Sequence, residues 1–245
     1  MIRVKAAFFN LTAAASPEED ASYLRWHLLD HMPEQYQIPG IVHAMRWIAD
    51  GDYPNHRIVA SEPLASVGNV VNYLVGDPVQ ETHDDFLELG PRLGEVGRFP
   101  QWRTPLQLRL LALLRWYAAP KVLISPEVVP FRPHRGVVVI VEEPQGEDVP
   151  AWLRWLHAEH YPALLELPGV AGAWMYGSTN YWKLDRRCQG DPEYITVVYL
   201  DHDPLATTKE LAAVVEQRWA SGAVRPLFAG PLRTMIQWDA WPIEA

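Results

Sequence analysis

A single cysteine, Cys188, in 245 residues excludes an internal disulfide and any all-cysteine metal centre, and it suits a reducing compartment. No uninterrupted apolar run reaches the roughly 18 to 20 residues that a membrane span requires. The N-terminus, Met1-Ile2-Arg3-Val4-Lys5, lacks a hydrophobic region ending in a small-residue cleavage site, so a cytoplasmic location with no membrane partner is expected. Lysine and arginine are few and nowhere clustered: 21 of them stand against 30 Asp and Glu, for a net charge of −9. Nucleic acid is therefore not an expected partner, because phosphate binding needs a concentrated positive surface. Also missing are a nucleotide-binding glycine motif, a phosphate loop and a nucleophile elbow. Any chemistry would then rest on acid–base side chains, and the expected cofactor is none.

What is present is apolar and aromatic. Hydrophobic residues make up 49% of the chain, with 11 Trp and 10 Tyr, enough for a folded core and for the walls of a ligand pocket. The chain also repeats itself. Residues 23–47 align without a gap on residues 152–176, an offset of 152 − 23 = 129. Eight of those 25 positions are identical: Leu24/Leu153, Arg25/Arg154, Trp26/Trp155, His31/His160, Pro33/Pro162, Pro39/Pro168, Gly40/Gly169 and Ala44/Ala173.

The flanks repeat in kind. Each copy opens on an apolar run, 4–11 and 136–142, long enough for a strand and followed by turn-like and acidic residues. Each later carries a strand stopped by Asp-Pro, at Asp77-Pro78 and Asp203-Pro204, before a helical segment. The pattern predicts strand, helix, strand, strand, helix, strand in both copies. That is an α+β chain of tandem ferredoxin-like βαββαβ repeats forming an intramolecular dimeric α/β-barrel, since one such unit alone leaves an apolar sheet face uncovered. The units are expected at 1–130 and 131–245, joined by a stiff proline-rich stretch, 126–135. Thr104-Pro-Leu-Gln107 reads as a capped helix start, which predicts a helical insertion at about 98–117 in the first unit. The last strands are then expected at 121–125 and 232–238.

The densest constellation of chemistry-bearing side chains is Trp26, His27, Asp30, His31 and Glu34, where the first helix ends. Its second-copy counterpart is Trp155, His157, Glu159 and His160. In both copies an acid directly precedes the histidine. A histidine at a helix C-terminus suits proton transfer, with Asp30 or a backbone group orienting His31; alternatively, His31 and His160 cap helix-end carbonyls and are purely structural. The i, i+4 spacing of His27 and His31 is one that zinc ligands use, but no third ligand is indicated and no metal is expected. On the following strand, His43, Met45 and Trp47 alternate with Val42, Ala44 and Arg46, so His43 and Arg46 compete for the pocket-facing side. Their counterparts are Gly172 and Met175, which makes the copies chemically unequal there. Tyr53, His56 and Arg57 follow in a polar loop.

These residues carry a family resemblance. Each half is similar to the EthD-like branch of the dimeric α/β-barrel superfamily, through Asp30-His31-Met-Pro33-Glu34 or Glu159-His160-Tyr-Pro162, then Ile38-Pro39-Gly40 or Leu167-Pro168-Gly169 and a strand. The resemblance implies a cavity between sheet and helices, used across that superfamily by cofactor-free oxygenases, polyketide cyclases, lactone isomerases, dehydratases and haem enzymes. It also implies that His31 is the acid–base residue. The expected function is a lyase, isomerase or cofactor-independent oxygenase acting on a hydrophobic, aromatic or polyketide-like small molecule. Catalysis would fall to His31, Asp30, His43 and Arg46, and substrate binding to Trp26, His27, Trp47, Tyr73, His160 and Trp155. The alternatives are a non-catalytic binder of a hydrophobic metabolite and a haem-binding barrel, and a second copy of the pseudo-dimeric chain is the other candidate partner.

Overall fold

The computed structural model describes residues 3–14, 16–99 and 105–235. In chain order its elements are β1 (Ala6–Ala13), α1 (Pro17–Trp26), α2 (Met32–Gln35), β2 (Ile41–Ile48), β3 (Val59–Ala60), β4 (Val67–Val75), α3 (Val79–Glu95) and β5 (Gln107–Ala118). There follow β6 (Gly136–Pro144), α4 (Val149–Trp155), α5 (Tyr161–Glu166), β7 (Val170–Gly177), α6 (Arg186–Gln189), β8 (Tyr194–Leu200), α7 (Pro204–Glu216) and β9 (Val224–Thr234).

The chain forms two compact units. The first comprises Met1–Arg46, Ser66–Leu113 and Ser178–Gly190; the second comprises Trp47–Ala65, Leu114–Gly177 and Asp191–Ala245. In the first, the strands run β2-β4-β1-β5. In the second, the equivalent four run β7-β8-β6-β9, with β3 beyond β9. Numbered within its own repeat, each unit has strand order 2-3-1-4, that of a βαββαβ ferredoxin-like unit.

Local chemistry explains the element boundaries. Helix α1 starts at a capping box: the Ser16 side chain accepts from the Glu19 backbone N–H, and the Glu19 carboxylate accepts from the Ser16 N–H. Helices α3 and α7 begin where the two Asp-Pro pairs halt their strands. The repeated Pro-Gly turns before β2 and β7 need glycine, because Gly40 and Gly169 have φ of +89° and +79°. A Cβ on Gly40 would lie 2.1 Å from the Thr82 hydroxyl oxygen. Each unit has its own apolar core. That of the first gathers Phe8, Met32, Ala44, Val71, Tyr73 and Leu110, and that of the second gathers Ile140, Leu156, Tyr161, Leu164, Met175 and Val198.

The structure corrects the reading of the first copy's end. Gln107–Ala118 is not part of a helical insertion but is strand β5, paired antiparallel with β1 from Leu11↔Gln107 to Ala6↔Ala112. Leu110 and Leu111 are each buried, one neighbour after the other. An apolar run buried on both faces shows neither helical nor strand periodicity, and the open edge of β1 decides the matter. Residues 121–125 form no strand, since β5 already fills that place. The capping signal at Thr104 lies outside the described residues. In the second copy the last strand is Val224–Thr234, starting eight residues before the expected 232, and 236–238 lie outside the described residues. Among the described residues no helix is long and apolar enough to cross a membrane.

Candidate active site

Between α1 and α2 the helix does not run straight. Residues His27–His31 form a π-turn, closed by an i+5 hydrogen bond from the Met32 N–H to the His27 carbonyl. The second copy repeats it at Leu156–His160, with the Tyr161 N–H bonded to the Leu156 carbonyl. A π-turn inserts one extra residue and widens the helix, and such insertions concentrate at functional sites. His27 and His31, at the two ends of this turn, stand side by side, ring centroids 5.6 Å apart.

Both line a cavity of about 770 Å³ in the first unit, a size suited to a small organic ligand. One wall is the sheet. Ala6, Phe8, Asn10 and Thr12 share one face of β1; the first two enter the apolar core, and the last two line the cavity. Tyr73 lines it from β4, and Phe86, Leu87 and Pro91 from α3. Trp26, Tyr23 and Gln35 complete the helical side, Phe99 and Leu108 add apolar surface, and Arg187 stands at the edge from α6.

His31 lies flat against the Trp26 indole, centroids 4.8 Å apart and planes 8° from parallel, with Phe99 edge-on to it at 5.1 Å. Its Nδ1 is enclosed without a hydrogen-bond partner, whereas Nε2 is not enclosed. No helix-end carbonyl accepts from either nitrogen, so the capping role weighed for His31 has no hydrogen bond to rest on. Burial first, and the Arg46 charge second, lower its pKa to about 4. It is a neutral imidazole at physiological pH. His27 is likewise held well below its ordinary value by burial, then by Arg46 and by His31. The His27 Nε2 lies 2.8 Å from the Tyr73 hydroxyl, which donates to Gln35 Oε1. Burial also raises the Tyr73 pKa, so the group stays a phenol.

The remaining expected site residues fall as follows. Trp26, His27, His31 and Tyr73 meet at the cavity. Asp30 is exposed and outside the lining, with no bond to His31, as expected of consecutive helical residues, which do not face each other. Arg46 is buried on the same face of β2 as Ala44; its Nη2 donates to the Tyr23 hydroxyl at 3.3 Å, and its guanidinium sits 4.7 Å over that ring. His43, on the opposite face of β2, is half-buried and does not line the cavity. Trp47 belongs to the second unit, where its indole N–H donates to His134 Nε2 at 2.9 Å. His160 is buried in the second unit with both ring nitrogens enclosed and unpartnered, its pKa lowered to about 3 by burial and then by Arg218. Trp155 packs on it at 5.2 Å and borders a separate surface groove. In the polar loop, His56 pairs with Asp52 and Arg57 donates to the Ala65 carbonyl, both within the second unit. The Cys188 thiol is buried and pushed up to about 12, mainly by that burial. Among the described residues no three His, Cys, Asp or Glu side chains are placed to hold a metal ion.

The second copy fills the corresponding space. By the 129-residue offset, Tyr23, His27 and Gln35 become Trp152, Leu156 and Leu164. By strand register, Tyr73 becomes Val198 and Thr12 becomes Glu142. Glu142 is fully buried and takes two hydrogen bonds from Arg218, at 2.8 and 2.6 Å, and one from the Trp219 indole. Arg218 also reaches Thr196, and its carbonyl accepts from Trp152. Polar groups open to a cavity in one copy are thus apolar, or locked in an ion pair, in the other. Sequence reasoning passed over Tyr23, Gln35, Asn10, Thr12 and Arg187; the signal available was this divergence between aligned copies.

Neither a family model nor a curated protein sequence matches the chain. Solved structures do. An anthrone oxidase-like protein is 13% identical, with TM-score 0.58 over 95% of this chain and 92% of that one. The R173A mutant of chlorite dismutase from Candidatus Nitrospira defluvii is 13% identical, with TM-score 0.53 over 94% and 91%. A provisionally assigned monooxygenase from Fusobacterium nucleatum subsp. nucleatum is 10% identical, with TM-score 0.54 over 96% and 94%. At such identities the likeness speaks for architecture alone: the chain has the α+β fold of these proteins, as two tandem ferredoxin-like units.

Proposed function

We propose that the protein is a small-molecule enzyme of the EthD-like kind, whose first unit binds a hydrophobic, aromatic or polyketide-like substrate and moves a proton with His31. The observation that carries this reading is a neutral imidazole with an open Nε2 in a cavity walled by Trp26, Phe86, Phe99 and Tyr73. A base must be unprotonated and within hydrogen-bond reach of the proton it takes, and burial together with Arg46 keeps His31 unprotonated. The proton passes from an acidic C–H or O–H of the substrate to Nε2, and the electron pair stays on the substrate as an enolate or phenolate. Trp26 fixes the plane of the imidazole, and the His27–Tyr73–Gln35 chain fixes the wall beside it. The reaction class fits the oxidase-like and monooxygenase-named proteins of similar fold; lyase and isomerase chemistry would begin from the same anion.

The His31→Gln variant tests it. Glutamine keeps size and polarity but cannot accept a proton at neutral pH. Turnover of an aromatic enol or phenol should fall about 100-fold or more, with the melting temperature nearly unchanged. A variant that keeps its turnover, or loses it only by unfolding, sinks the proton-transfer role. A tightly bound ligand with no turnover in the unaltered protein would leave the binding-protein reading in its place. Haem would have to use the same Nε2, and a Soret band in the purified protein would show it at once.

A further inference from the structure

We infer that the substrate of the first-unit cavity is an anion, an aromatic acid or an acidic phenol or enol, and that Arg46 is the buried positive charge that selects it. The inference rests on the cavity being the binding site and adds the chemical class of what it takes. Its basis is a charge imbalance. The protein carries 30 acidic residues against 21 basic ones, yet among the described residues that line this cavity none is Asp or Glu. The lining offers two imidazoles, hydroxyl and amide groups and Arg187.

Directly behind that wall lies Arg46, only 6% exposed. Its Nε and Nη1 are enclosed with no hydrogen-bond partner, and its Nη2 donates only to the Tyr23 hydroxyl. Among the described residues no carboxylate lies within ion-pair distance of it, which sets it apart from the other buried arginine, Arg218, with its bidentate Glu142. A buried cation without a counter-ion is costly, and it remains tolerable where an anion comes to it. The field of Arg46 reaches the cavity: it acts on His27, His31 and Tyr73, each of which lines it. The same field opposes a protonated His31 and favours a negative ligand. Arg187, more exposed and already bonded to Asp185 at 2.9 Å, stands at the edge as a guiding charge. An anion is also what proton removal leaves on the substrate, so one charge serves both selection of an anionic ligand and stabilisation of the product of His31. Arg46 is in this sense a positioning residue, since Tyr23 stands between it and the cavity.

Two probes of one shape decide the matter: 2-naphthoate and 2-naphthamide, titrated into the full-length protein by calorimetry while the His31 imidazole resonances are followed by NMR. Naphthoate should bind about 10-fold more tightly than the amide, and it should raise the His31 pKa, which the amide should leave in place. Arg46→Gln should erase the preference and by itself raise the His31 pKa, with amide affinity little changed; should that variant not fold, the two-probe comparison on the unaltered protein still decides. Equal binding of both probes, each perturbing His31, would overturn the anion inference while keeping the cavity as the site. Failure of both probes to perturb His31 would overturn the inference and the site together.

Discussion

Tyr73 shows how tightly the polar side of the cavity is wired. Its hydroxyl takes part in two hydrogen bonds, with His27 Nε2 and with Gln35 Oε1, and all three groups are buried. Tyr73→Phe removes the hydroxyl and leaves an imidazole nitrogen and an amide oxygen unsatisfied. Each such group costs about 1–3 kcal/mol. The variant should therefore lose that order of stability in urea denaturation while its apolar packing persists. Replacing the whole chain of groups, with Tyr73→Phe, His27→Leu and Gln35→Leu together, removes donors and acceptors alike and moves the helix toward the second copy's Leu156 and Leu164. That triple variant should be more stable than the single one, and finding it less stable would show that the three do not act as a unit. The histidines were legible in the sequence because both copies carry His31/His160. Gln35 and Tyr23 were not, because their role depends on a space that one copy keeps and the other fills.

At the scale of elements, the device that makes the site is the π-turn, and periodicity could not reveal it. The adjacency of Asp30 and His31 suggests a pair, but consecutive helical residues do not face each other; His27 and His31, at the two ends of the π-turn, share a face instead, their rings 5.6 Å apart, and Asp30 points to solvent. Deleting Leu29, an exposed residue of that turn, should convert it to regular α-helix. His31 would then follow His27 at i+3 rather than i+4, which changes how the two imidazoles face the cavity. The deletion variant should remain folded, by circular dichroism and cooperative melting, and should lose ligand binding at the cavity. Undiminished binding would show that the extra residue is not what positions His31. Strand β5 failed to be legible for a related reason. Its leucines are buried on both faces, so its conformation is decided by the open edge of β1, a partner more than 90 residues away. The Asp-Pro stops and Pro-Gly turns were read correctly because their cause is local: a helix start that follows a strand end, and a positive φ that glycine allows.

For the molecule as a whole, the buried histidines predict how stability varies with pH. His27, His31 and His160 all have folded-state pKa values below the ordinary 6.5, that of His31 near 4 and that of His160 near 3, chiefly through burial. In the unfolded chain each binds a proton near 6.5, whereas in the folded chain each stays neutral until the pH is much lower. Between those values the unfolded state carries more protons, so stability rises with pH there. It is complete above about 6.5 and declines as the pH falls from 6.5 toward 4 for His31 and toward 3 for His160. Within its window each histidine contributes about 1.4 kcal/mol per pH unit. The urea midpoint should therefore drop steeply between pH 6.5 and 4, a fall that sets in above the range in which most carboxylates protonate. His160→Gln isolates one share. The residue lines no part of the first-unit cavity, so ligand binding should persist while the slope of stability against pH falls by the contribution of one histidine. A wild-type midpoint that stays flat from pH 7 to pH 4.5 would mean that these imidazoles become charged without unfolding the protein, and His31 could then not be the neutral base that the site requires.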